Sequence, residues 1–61
     1  MTRVRINYPE NPQIHGTYAS VVSTKPGYRS NQHEVILLVG RGVYRPGDTV
    51  FLSSEHVVEV E

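Results

Sequence analysis

Cysteine and tryptophan are both missing from the chain. Without a thiol there is neither a disulfide framework nor a thiolate metal site. Small domains often lean on one or the other, so this one must be held by a compact core, by self-association or by a partner. Net charge is missing too, six Lys/Arg standing against six Asp/Glu. That removes the simplest ground for a nucleic-acid or membrane-surface protein. Long apolar runs are lacking: the longest, Val35 to Val39, has five residues, far short of the roughly 18–20 that span a bilayer. The opening Met1-Thr2-Arg3-Val4-Arg5 is basic but has no apolar stretch behind it. No signal peptide is expected, and a soluble cytoplasmic location is. Leu and Ala are scarce, which speaks against helices.

At 61 residues the chain is one domain, 1–61. A chain this short buries only about 60% of its unfolded surface and is marginally stable. Ten valines dominate its apolar content, and that is a β composition. They are expected to hold the core.

The pattern along the chain supports this reading. Arg3-Val4-Arg5-Ile6-Asn7 alternates as a half-buried strand does, and Tyr8-Pro9-Glu10-Asn11-Pro12 ends it. Thr17 to Ser23 is β-branched and alternating, a second strand entered through a bend at Gly16. Thr24 to Asn31 is a surface loop with a Pro26-Gly27 turn. His33 to Val39 is a third strand, its continuous apolar run suggesting burial on both faces or a central place in a barrel. Gly40-Arg41-Gly42 turns the chain, and Val43-Tyr44-Arg45 fits a short returning strand. Pro46-Gly47 has the type II turn pattern before a fourth strand, Thr49 to Leu52. Ser53 or Ser54 suits the cap of one 3₁₀ turn, and Val57 to Glu61 forms the last strand with its acids in water. Five short strands and one helical turn predict an all-β fold, a small and strongly bent barrel.

Two segments carry a family resemblance. Val4-x-Ile6 followed by His15-Gly16-Thr17-Tyr18-Ala19-Ser20-Val21 is similar to the KOW pattern Gly-x-x-Gly-x-Val, with Gly16 and Val21 matching and Ala19 in place of the second glycine. Val50 to Val60 resembles the close of an SH3-like barrel: strand, 3₁₀ turn, short final strand. Together they cover about half the chain and imply a five-stranded SH3-like barrel of the KOW-type branch. The resemblance implies a binding module for RNA, DNA or protein. The Pro-rich insert between Ile6 and His15 is longer than the usual KOW turn, and the neutral charge departs from the basic versions that bind nucleic acid. The plasmid-encoded type II dihydrofolate reductases, tetramers of such barrels, are an enzyme precedent. Their active strand carries Val-Gln-Ile-Tyr, and the nearest run here, Val50-Phe51-Leu52-Ser53, lacks the Gln and the Tyr.

Charge is balanced in sum only. Residues 1–47 hold every Lys and Arg with two acids, a net +4, and residues 48–61 hold four acids, a net −4. Arg3 and Arg5 share a face of the first strand, where Tyr18 of the second strand is a further candidate. Lys25, Tyr28 and Arg29 lie on one loop, and Arg41, Tyr44 and Arg45 on another. Tyrosine beside cations suits single-stranded nucleic acid or a protein surface. The bland alternative pairs Arg3 and Arg5 with Glu59 and Glu61 across neighbouring first and last strands.

Other chemistry finds little support. His15, His33 and His56 are spaced 18 and 23 apart, matching no compact metal-ligand pattern. Ser53-Ser54-Glu55-His56 has triad residue types, but a triad needs convergent geometry and an oxyanion hole. Gly40-Arg41-Gly42 lacks the Lys-Ser/Thr of a phosphate loop. No cofactor and no metal is expected. The leading expectation is a non-enzymatic module docking a macromolecular protein partner, of the kind seen in phage or plasmid accessory proteins. A nucleic-acid-binding KOW-like barrel follows, and then an oligomeric enzyme with a site shared between copies. A homo-oligomer fits the apolar run Val35 to Val39.

Overall fold

The computed structural model describes residues 2–60. Five antiparallel strands form one sheet that curls into a half-barrel: β1 (Thr2–Ile6), β2 (Tyr18–Lys25), β3 (Gln32–Leu37), β4 (Thr49–Ser53) and β5 (Val57–Glu59). A 3₁₀ turn, Ser54–His56, joins β4 to β5. The strand order is β4-β3-β2-β1-β5. The first and last strands are therefore neighbours, as the bland reading of the arginines required, while β4 and β5 remain as edges. The predicted reach of the last strand to Glu61 lies outside the described residues.

Period two decides what is buried. Val4 and Ile6 of β1, Ala19 of β2, Val35 and Leu37 of β3 and Leu52 of β4 point into the curl, joined by Ile14 from the loop before β2. Val21, Val50, Val57, Tyr8 and Tyr44 pack against them half-buried. The valines are less central than expected: Val22, Val39, Val43, Val58 and Val60 are all exposed. Nor is β3 buried on both faces. Ile36 is half-buried, and Leu38 and Val39 lie beyond the strand's end in water, because only one face of this single-layered sheet meets a core.

A bulge changes the phase of β2. Val21 faces Val35 and Ser23 faces Glu34, leaving Val22 as the extra residue. Strict alternation from Ala19 would place Ser23 inward. The bulge instead turns Thr24 inward, opposite His33.

The loops correct further expectations. Val43–Arg45 is no strand; Tyr44 N–H donates to Arg41 O at 3.0 Å in a turn that needs Gly42 at φ 61°. The Pro46-Gly47 turn forms as predicted, with Gly47 at φ 93° and Asp48 N–H donating to Arg45 O at 3.1 Å. Gly27 has no positive φ. Its lack of a side chain matters for another reason, since a Cβ there would collide with the Ser30 carbonyl. The Pro-rich segment 7–17 is a chain of turns laid over one end of the core, where the buried Thr17 hydroxyl donates to Ile14 O at 2.6 Å.

Candidate functional site

The outer face of the sheet displays the first group of candidates. Arg5 stands opposite Tyr18 across β1 and β2 and opposite Val58 across β1 and β5. Arg3 and Tyr18 line a shallow depression with Leu38 and Val39. Tyr18 is 45% exposed there, and its carbonyl accepts from Leu38 N–H at 3.1 Å. This hydrogen bond fastens the start of the 38–48 loop, which carries Arg41 and Arg45, beside the tyrosine.

Register explains why Arg5 does not meet Glu59. Glu59 lies directly opposite Val4 and so shares the inner face with it, while Arg5 projects outward. Among the described residues the one side-chain contact within 4.0 Å between basic and acidic groups is His56 Nε2 to Glu55 Oε1, at 3.8 Å. Glu61, the other proposed partner of the arginines, lies outside the described residues. The basic side chains of β1 and the acid of β5 are thus sorted to opposite faces of the sheet.

The second group sits at the far end of β2. Lys25 closes the strand, and Tyr28 and Arg29 follow on the loop. Tyr28 is 98% exposed. The strand separates Tyr18 from Lys25 by roughly 20 Å at about 3.3 Å per residue, so these groups form two patches rather than one.

The third group divides. Tyr44 is half-buried against the core, and its hydroxyl accepts from Asn11 Nδ2 at 2.9 Å. Gln13 Oε1 accepts from Val43 N–H at 2.8 Å beside it. Tyr44 therefore pins the Pro-rich segment to the 38–48 loop, leaving only exposed Arg41 and Arg45 available to a ligand.

Polar clusters unforeseen in the sequence line the open end of the curl. A concavity of about 320 Å³ has Val4, Val21 and Val57 among its walls, together with Thr24, His33, Ser54 and Glu59. His33 Nδ1 is 2.8 Å from Thr24 Oγ1, and Nε2 is 3.0 Å from Ser54 Oγ. Ser54 Oγ spends its only proton on Asn31 O at 3.1 Å. Nε2 then donates to Ser54 Oγ, and the ring is held between Thr24 of β2 and the 3₁₀ turn. No spacing pointed to this, because the bulge at Val22 is what turns Thr24 inward.

The remaining histidines surround Tyr8. Its ring packs on His56 with centroids 4.3 Å apart, and its N–H donates to His15 Nδ1 at 3.0 Å. Ser53 occupies the cap position of the 3₁₀ turn, yet its side chain caps nothing. The Ser53 hydroxyl lies 3.0 Å from His56 Nδ1 instead. Among the described residues no three metal-ligating side chains converge, and no helix is long and apolar enough to cross a membrane. No protein-family model, curated protein or solved structure matches the chain.

Proposed function

We propose that the chain is a small non-enzymatic binding module, and that it docks a protein segment on the outer face of its sheet at Tyr18. The observation that carries this reading is the composition of that patch. Tyr18, Leu38 and Val39 offer apolar surface beside Arg3 and Arg5, and Val58 extends it across β1. Tyrosine and arginine around an apolar centre are the residue types that dominate protein-interface energetics. The partner's chemistry follows from the charge: an acidic segment carrying an apolar or aromatic anchor. Its carboxylates would meet Arg5, and its anchor would fill the depression. The strand order and the 3₁₀ turn before β5 support the SH3-like reading, and the positive φ of Gly16 at the bend before β2 supports the KOW-like one.

A peptide library displayed against the immobilised chain tests the proposal. Selection should enrich acidic peptides with an aromatic or aliphatic centre, and the double variant Tyr18→Ser/Arg5→Glu should lose at least about tenfold in affinity for them, about 1.4 kcal/mol. Enrichment that survives in the double variant would remove this face from consideration. A second reading, single-stranded nucleic acid, is favoured by fully exposed Tyr28 between Lys25 and Arg29. It predicts salt-sensitive binding of a fluorescent oligouridylate that Tyr28→Ala weakens and the double variant at the other end of β2 does not.

A further inference from the structure

Two strands of the sheet have only one neighbour, and they are protected very differently. Natural sheets blunt an edge by keeping it short or by placing charge, proline or a bulge on it. The β5 edge has three residues and carries Glu59. The β4 edge, Thr49-Val50-Phe51-Leu52-Ser53, has five residues without a charge or a proline, and its pairing with β3 runs without a register shift.

Hydrogen bonds at both ends of the β3–β4 ladder fix which backbone groups of β4 face outward. Ser54 N–H donates to Asn31 O at 2.9 Å, and Leu37 N–H donates to Asp48 O at 2.9 Å. In an antiparallel ladder the directions alternate. Leu52 and Val50 therefore point their N–H and C=O groups at β3, and Thr49, Phe51 and Ser53 point theirs away. Among the described residues, no turn, loop or cap hydrogen bond between backbone groups reaches Thr49, Phe51 or the N–H of Ser53, while the Ser53 C=O opens the 3₁₀ turn as its N-cap. Phe51 at the middle of the edge is 63% exposed.

We propose that this edge pairs with the same edge of a second copy, β4 to β4 and antiparallel about Phe51, joining two half-barrel sheets into one. The strand is self-complementary in the three respects such pairing needs. Outward-directed residues meet outward-directed residues, Phe51 with Phe51 and Thr49 with Ser53, giving about six backbone hydrogen bonds, about two of them to the second lone pair of a Ser53 C=O that the 3₁₀ turn also uses. Side-chain faces agree as well: the two phenyl rings meet on the outer face, and Val50 meets Leu52 on the inner one, extending both cores. Charges stay apart, because in this register Asp48 falls opposite Ser54 and Glu55 opposite Gly47, so no acid opposes another. By the same parity β5 offers only Val57 and Glu59 outward, since Val60 N–H donates to Arg3 O and Asn7 N–H to His56 O. A closed two-fold dimer through β4 is the pairing with the most hydrogen bonds and no buried charge.

Sedimentation equilibrium of the full chain from micromolar to millimolar concentration tests this. Wild type should approach twice the chain mass of 6.9 kDa. Phe51→Lys, which sets two ammonium groups against each other across the two-fold, should show a twofold lower mass at the same concentration. Tyr18→Ser, on the face assigned to the protein partner, should dimerise like wild type, so the two proposals fail separately. Amide exchange on the wild-type chain supplies a readout that needs no variant. At high concentration the Thr49, Phe51 and Ser53 amides should exchange as slowly as those of Val50 and Leu52, and on dilution they should become fast while the other two stay slow. A monomer at every concentration overturns the proposal. So does a larger assembly in which the Val57 and Glu59 amides gain the protection.

Discussion

Neighbouring leucines separate what this chain needs from what it tolerates. Leu37 is buried between β2 and β4, and Leu38, one residue on, is exposed. A 61-residue domain has about 3–9 kcal/mol of stability in total. Truncating a fully buried leucine costs about 2–5 kcal/mol, so Leu37→Ala should remove most of the urea resistance of the fold. Leu38→Ala should shift stability by no more than about 0.5 kcal/mol. Paired urea titrations check this, and equal midpoints for the two variants would contradict the inward and outward assignment of β3. Tyr44 makes the same point about aromatic residues. Beside Arg41 and Arg45 in sequence it resembles a ligand contact, yet its hydroxyl is engaged by Asn11 and its ring by the core.

At the scale of elements, the join between β4 and β5 depends on Ser54 more than on Ser53. Ser54 Oγ holds the loop carbonyl of Asn31 and receives His33, whereas Ser53 Oγ contacts only His56. With about 1 kcal/mol for each hydrogen bond, Ser54→Ala should cost about 2 kcal/mol and Ser53→Ala about 1. For a domain of this size about 4–8 °C in Tm corresponds to each kcal/mol, so thermal melts resolve the difference. A larger loss from Ser53→Ala would reverse the assignment. The five strands and the 3₁₀ turn were legible in the sequence because alternation and turn chemistry are local signals. Two kinds of feature were not. The extra residue in β2 breaks no local rule, since Val22 is as good a strand former as Val21, and only pairing with β3 reveals it. The register that sends Glu59 inward and Arg5 outward is likewise a property of two strands 54 residues apart. Of the pairings of Arg3 and Arg5 with Glu59 and Glu61 that the adjacency of β1 and β5 suggested, that parity sets Arg5 apart from Glu59, and those with Glu61 lie outside the described residues.

The whole molecule turns a neutral sum into a sorted surface. Arg3 and Arg5 look out from the convex side with Tyr18, whereas Glu59 lines the concavity. Arg41 and Arg45 lie on the loop that starts beside Tyr18, and Lys25 and Arg29 stand at the other end of β2. The candidate residues were identifiable one at a time from type and loop position. Their division into two patches and a structural tyrosine follows from the length of β2 and the docking of the Pro-rich segment. The placement of β5 beside β1 has a consequence for connectivity. Val60 N–H donates to Arg3 O at 3.2 Å, so a short glycine-serine bridge can run from the end of β5 to the start of β1 without crossing the sheet. Cutting the circle at exposed Glu55 of the 3₁₀ turn, between the unpaired neighbours β4 and β5, would then give a permuted chain beginning with β5 and finishing with β4. Every ladder of the sheet would survive, and β5 would be tethered to β1 by a loop of a few residues instead of by the length of the chain. Such a permutant should fold faster than the parent in stopped-flow refolding, because loop closure across the whole sequence is no longer required. A permutant that refolds no faster would mean that β1 and β5 meet only after the rate-limiting step.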